Sequence, residues 1–233
     1  MKPTTKAIEA RSVQVPIERA RLEGNLAIPQ QACGIVLFAH GSGSSRHSPR
    51  NRFVAEKLRE WGLATLLIDL LTLEEEAVDV RTARLRFDID LLADRLAEAS
   101  DWLAEEPDTR HLPLGYFGAS TGGGAALVAA AKRPETVGAV VSRGGRPDLA
   151  GPALSKVRAP TLLIVGGNDE LVIELNQIAL AQLPCLARLE IVPGATHLFE
   201  EPGTLDTVAS LAGQWFKDHL SAARADSSHH QPF

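Results

Sequence analysis

The chain has 233 residues, 45% of them hydrophobic, which is material for one domain with a full core and too little for two large ones. Its formal charge is −5 and its pI about 5.8, with no like-charged run longer than Glu74-Glu75-Glu76, so a nucleic-acid partner is not expected. No N-terminal segment has the charged-then-apolar build of a signal peptide and no apolar run approaches a membrane span, so a cytoplasmic protein with no membrane partner is expected.

Taken in order, residues Ser12 to Pro29 carry short alternating stretches that predict an antiparallel hairpin. Gly34 to Ala39 is a continuous apolar run, the pattern of a strand buried on both faces. It ends in His40-Gly-Ser-Gly-Ser-Ser45, too rich in Gly and Ser for helix or strand. Phe53 to Trp61 has helical spacing with Gly62 as its stop, and Leu63 to Leu70 is a second buried strand. An acidic segment from Thr72 to Asp79 follows. Apolar residues stepping by threes and fours from Leu85 to Leu103 predict a long amphipathic helix. Next come a strand from Leu114, the turn Gly118-Ala-Ser-Thr-Gly122, and an alanine-rich helix reaching Lys132 before Pro134. Val137 to Val141 is a strand, followed by the loop Arg143-Gly-Gly-Arg-Pro-Asp148. Thr161 to Val165 is another, ending in Gly166-Gly-Asn-Asp-Glu170. A helix over Leu171 to Leu183, a last strand over Arg188 to Val192, the loop Pro193-Gly-Ala-Thr-His197 and a final helix complete the pattern. One domain over residues 1–220 is expected, with 221–233 a flexible tail.

Strands alternating with helices imply a mostly parallel sheet covered on both faces, with ligands outside the carboxyl ends of the strands. Five strand ends carry unusual chemistry: His40-Gly-Ser-Gly, Ser120, Arg143-Gly-Gly-Arg146, Asp169 and His197. The strand–elbow–helix context makes Ser120 a nucleophile candidate. A serine needs a base and a group that orients the base. The order Ser120, Asp169, His197 supplies both, with His197 as general base and then acid, and Asp169 holding its tautomer. Asp148, one strand earlier, and the adjacent Glu170 are rivals for the acid. An oxyanion would be met by the N–H of Thr121 and, from the loop after Ala39, the N–H of Ser42. His40 is expected to shape that loop rather than to do chemistry. Arg46, Arg143 and Arg146 could bind an acidic group of the substrate, or anchor loops through Asp148 or the Glu74–Glu76 segment. Cys33 and Cys185 show no metal-ligand spacing, and His229 with His230 does not make a metal site; no metal and no cofactor are expected.

The motifs His40-Gly-Ser-Gly-Ser, Gly118-Ala-Ser-Thr-Gly122, Gly166-Gly-Asn-Asp169 and Gly194-Ala-Thr-His197 together resemble the α/β-hydrolase superfamily, and within it the small lidless members of the dienelactone-hydrolase-like branch. The resemblance spans roughly Val13 to Leu220. It implies an eight-stranded, mostly parallel sheet with an antiparallel second strand, and hydrolysis of an ester or related acyl bond. Dienelactone hydrolases proper carry cysteine where this chain has Ser120, so the lactone substrate is not carried over and a serine carboxylesterase is the expectation. A thioesterase, acyltransferase or peptidase would use the same triad, and a non-catalytic binding protein could share the scaffold. Related chains are sometimes joined to a phosphoribosyltransferase domain, for which these residues hold no signature. The ten residues from Leu71 to Val80 are the only insertion-like stretch, too short for a lid. An open site suits a small or short-chain ester, unless a homodimer contact narrows it.

Overall fold

The computed structural model describes residues 9–227. Eight strands form one sheet in the order β1-β2-β4-β3-β5-β6-β7-β8. The strands are β1 (Arg11–Ile17), β2 (Ala20–Ala27), β3 (Gly34–Ala39), β4 (Leu63–Ile68), β5 (Leu114–Ala119), β6 (Val137–Arg143), β7 (Thr161–Gly166) and β8 (Ala187–Val192). β2 is antiparallel to both its neighbours, and every pairing from β4 to β8 is parallel. The runs β3, β4, β5 and β7 are buried at every position, as their unbroken apolar sequences require of strands covered on both faces.

Two cores result. On one face α3 (Ile89–Glu105) and α4 (Thr121–Lys132) pack on Ile35, Leu37, Tyr116 and Val140. On the other, α1 (Pro49–Glu60) and α6 (Thr204–Ser227) cover Val36, Phe38, Phe117 and Val141. The phenol of Tyr116, wholly buried, shares a 2.6 Å hydrogen bond with Ser100, so the one polar atom of that ring is satisfied.

Four elements differ from the sequence reading. The acidic stretch 72–79 is a helix, α2 (Leu73–Thr82), closed by a capping box in which Thr72 Oγ1 accepts from Glu75 N–H while Glu75 accepts from Thr72 N–H. The long helix begins at Ile89, because the Asp79 carboxylate takes the N–H groups of Leu85 and Arg86 and Asp88 then caps α3 through Leu91 N–H. α5 (Glu170–Leu180) stops short of Leu183. α6 runs past residue 220, where the sequence reading ended the domain, to Ser227. Residues 228–233, the end of the expected tail, lie outside those described, as do residues 1–8.

Candidate active site

The parallel strands bring the five loops singled out from the sequence to one edge of the sheet, beyond the carboxyl ends of β3, β5, β6, β7 and β8. Between β5 and α4 the chain reverses within one residue. Ser120 holds φ 52° and ψ −123°, a region that non-glycine residues avoid. The turn survives because its flanks carry no side chains. A Cβ on Gly118 would lie 2.5 Å from Gly122 O, and one on Gly122 would lie 2.3 Å from Ala39 O. The helix start thus rests directly on the ends of β3 and β5. Ser120 N–H donates to Arg143 O at 3.2 Å, while its own carbonyl accepts from Gly123 N–H and Arg146 N–H.

The loops after β7 and β8 are laced together by backbone. Gly167 N–H donates to Val192 O at 2.8 Å, Asn168 N–H to Ala195 O at 2.9 Å, and Asn168 Nδ2 to Gly194 O at 3.0 Å. That lacing sets Asp169 Oδ2 2.6 Å from His197 Nδ1. Asp169 occupies the N-cap position of α5 but makes no capping bond, so its carboxylate is turned to the histidine in the favourable field of the helix start. Nδ1 carries the proton in this pair, which leaves Nε2 as the basic atom. His197 lies over the strand next to the elbow: a methyl group on Gly144 would stand 3.6 Å from His197 Cε1, and Gly144 follows the residue that receives Ser120 N–H. The rival acids are placed elsewhere. Asp148 is held by Arg146 through bonds of 2.8 and 2.7 Å, and Glu170 opens α5.

The N–H of Thr121, in the first turn of α4, has no intrahelical acceptor and sits at the positive end of the helix. The second expected donor, Ser42 N–H, is bound to Thr121 Oγ1 at 2.8 Å. It can meet an oxyanion only when that hydroxyl turns aside. The Gly41–Ser42 peptide is nevertheless fixed in direction from its other end. Gly41 O accepts from His40 Nδ1–H at 2.9 Å and from Ser44 N–H at 3.2 Å. His40 Nε2 in turn accepts from Leu70 N–H at 3.0 Å, so the imidazole is neutral with its proton on Nδ1. Burial holds its pKa below the usual histidine value, outweighing the bond to Gly41 O and the pull of Asp69 and Glu76. A cavity of about 30 Å³, space for a water or two, lies behind this loop between His40, Asp69 and Arg86.

The three arginines separate. Arg46, expected among the substrate-facing arginines, pairs with Asp69 through its guanidinium and its backbone N–H, with Glu23 3.9 Å away. Arg146 forms the two bonds to Asp148 already described. Arg143, at the end of β6, has no hydrogen bond to its guanidinium among the described residues. Three residues the sequence did not flag join the site's margin. Arg50 Nη1 meets Glu200 at 3.2 Å, tying α1 to the His197 loop, and Glu201 accepts from Thr196 N–H at 3.1 Å. All three read in sequence as ordinary surface charges; the two glutamates follow His197 closely in the chain, and the fold brings Arg50 to them. No group of three or more metal-ligating side chains exists among the described residues. No described helix is long and apolar enough to cross a membrane.

Comparison with known proteins bears on the fold and the family. The crystal structure of a dienelactone hydrolase from Anabaena variabilis is 66% identical, covers 92% of this chain and all of that one, and superposes with a TM-score of 0.91. A serine hydrolase without a lid from Xanthomonas campestris is 20% identical, with 90% of this chain and 94% of that one covered and a TM-score of 0.70, a likeness of fold. Curated proteins from two strains of Mycobacterium tuberculosis are 62% identical over 208 residues, 89% of this chain and 46% of theirs. They carry the provisional name of a phosphoribosyl transferase, and the chain spans about half their length. Residues 22–224 match the model of the dienelactone hydrolase family, and the chain belongs to that family.

Proposed function

We propose that the chain hydrolyses carboxylic esters of small or short-chain substrates through an acyl-serine intermediate. The observation that carries this is a serine in a strained elbow at a helix start, with an aspartate 2.6 Å from the Nδ1 of a histidine on the same sheet edge. His197 Nε2 removes the proton of Ser120 Oγ as that oxygen attacks the ester carbonyl carbon. The tetrahedral oxyanion is met by Thr121 N–H, and by Ser42 N–H once Thr121 Oγ1 releases it. Collapse breaks the bond to the alcohol oxygen, which leaves with the proton from His197. Water, deprotonated by the same nitrogen, then attacks the acyl-serine and frees the acid. Asp169 keeps Nδ1 protonated and stabilises the imidazolium at both stages.

The phosphoribosyl transferase name belongs to proteins twice as long, and the segment they share with this chain is largely the one the dienelactone hydrolase family covers. The triad accounts for that segment without a transferase role. A cytoplasmic setting fits two unpaired thiols, Cys33 and Cys185. A fluorophosphonate probe tests the reading. One covalent adduct is expected on the wild-type chain and none on Ser120→Ala. No adduct, or one that survives the substitution, removes the hydrolase assignment. Matched p-nitrophenyl esters and acyl thioesters separate an esterase from a thioesterase.

A further inference from the structure

The sheet ends at β8, which pairs with β7 alone among the described residues. The opposite edge strand, β1, carries Pro16, which has no N–H to offer a further strand. β8 holds no proline, and its register against β7 is unbroken from Ala187 to Val192. The bonds on its paired side show how its free side is directed. Thr161 N–H donates to Leu186 O and Gly167 N–H to Val192 O, so the even-numbered residues turn their backbone toward β7. Ala187, Leu189 and Ile191 therefore aim their N–H and C=O groups outward, a row of donors and acceptors open to another strand. Apolar surface lies along the same border. Leu186 and Ile191 are exposed. On α5, which packs on β7 and β8, Asn176 reaches inward to Gly145 O. Leu171, Leu175 and Ile178 form a stripe on the other flank of that helix, and Leu171 and Ile178 are exposed.

We propose that β8 is the seam of a homodimer, pairing antiparallel with β8 of a second copy in the register that sets Leu189 opposite Leu189. The strand's own charges choose both the occupant and the register. Arg188 and Glu190 flank Leu189 and point to the same face, where within one copy they pair with each other. Charges on an edge strand ordinarily repel another strand. Here a two-fold axis at Leu189 sets Arg188 of each copy opposite Glu190 of the other, at the position where cross-strand side chains stand closest. The two nearest registers that also join the outward backbone groups set Arg188 opposite Arg188, or Glu190 opposite Glu190, and like charges so placed repel. In the complementary register Leu189 meets Leu189 and Ala187 meets Ile191, each as a hydrogen-bonded pair. The axis stands perpendicular to the sheet, which keeps α5 of both copies on one face. Leu189 packs toward that face, and the two Leu171–Leu175–Ile178 stripes close over the seam there. Leu186 of the second copy comes opposite Val192, one residue before the loop that carries His197, so each copy borders the site of the other.

Sedimentation velocity of the full chain tests the seam, and none of its readouts depends on ester hydrolysis. The wild type should sediment as a dimer at micromolar concentration. Arg188→Glu and Glu190→Arg each set like charges across the seam, and each should weaken the dimer roughly tenfold or more. An equimolar mixture of the two variants should recover it, because one copy then carries two negative charges at the facing positions and the other two positive ones. Leu189→Cys should give a disulfide-linked dimer on oxidation with diamide, since directly opposed hydrogen-bonded residues hold their Cα atoms about 5.5 Å apart. The wild type, with Cys33 and Cys185 alone, should give none. If a charge variant fails to fold, the Leu189→Cys crosslink decides. A wild type that is monomeric at every concentration overturns the proposal. So does a dimer that survives both charge variants unchanged, or a mixture no more associated than its parts.

Discussion

The backbone of Ser120, at φ 52° and ψ −123°, stores roughly 1–3 kcal/mol of strain, and its neighbours hold it there. His40 does comparable work one strand away. It touches no reacting atom; it fixes the direction of the Gly41–Ser42 peptide by donating to Gly41 O, while Leu70 N–H donates to its other nitrogen. It is a positioning residue, and two measurements separate that role from plain packing. In His40→Gln, kcat on a short ester should fall ~10- to 100-fold with KM little changed, less than the roughly 100- to 1,000-fold cost of removing an oxyanion donor outright, because the donor is misaimed and not lost. Stability should also depend on pH with a definite sign. The folded chain resists protonating His40, since burial depresses its pKa, while the unfolded chain protonates it near 6.5. The stabilisation is therefore complete above that value and is lost as pH falls below it. Unfolding in urea at pH 8 and pH 5.5 should show the gap between wild type and His40→Gln narrowing at the lower pH. A gap that widens would mean the imidazole is charged in the folded protein. The places of Ser120 and Asp169 at strand ends were legible in sequence because the apolar runs of β5 and β7 fix where those strands stop, whereas β8 before His197 alternates and is half-exposed. Arg143 was flagged from its strand end too, but nothing in the string distinguished it from Arg46 and Arg146. Their difference is which carboxylate the fold brings near: Asp69 for one, Asp148 for another, and none among the described residues for the third.

Elements that bury a periodic apolar face were read correctly in kind, and those that do not were missed. α2 exposes Leu73 and Val80, so no stripe announces it, and its start rests on the Thr72–Glu75 capping box instead. It is held to the body by ion pairs: Glu75 with Arg95 of α3, and Asp79 with Arg86. The same Asp79 explains why the helical spacing that began at Leu85 does not become helix until Ile89. The elbow is the opposite case, since glycine spacing alone announced its close packing. Gly122 is its tightest contact, where a Cβ would stand 2.3 Å from Ala39 O and 2.6 Å from His40 O. Both atoms are backbone at the end of β3, so relief requires α4 or the oxyanion loop to move. Gly122→Ala should therefore destabilise the chain by about 3 kcal/mol or more. It should also reduce esterase activity of whatever fraction folds. Equilibrium urea unfolding measures the first, and a loss under 1 kcal/mol would show that the elbow has slack.

At the scale of the whole molecule, the sheet puts every reactive loop at one edge and leaves no separate cap above it. Two segments are added between core elements among the described residues: α2 with the short turn at Leu85–Phe87 lies beyond β4, where Arg95 and Asp79 fix it, and the 3-10 turns of Pro147–Lys156 after β6 pack against α4. An uncovered site has a quantitative consequence for acyl-chain preference. In a closed tunnel each buried methylene contributes about 0.8 kcal/mol, close to fourfold in kcat/KM. Going from butyrate to octanoate would then raise kcat/KM on the order of 200-fold. Over an open edge the added carbons stay in water and contribute little. With p-nitrophenyl esters of this series, the rise from butyrate to octanoate should stay within about threefold. A steep rise would require a wall that one copy of the chain does not supply, and a homodimer contact is the source consistent with the fold. In that event the preference should flatten on dilution below the dimer dissociation constant. A preference that is steep at every concentration would overturn the open-site reading, because the wall would then have to come from the chain's own loops.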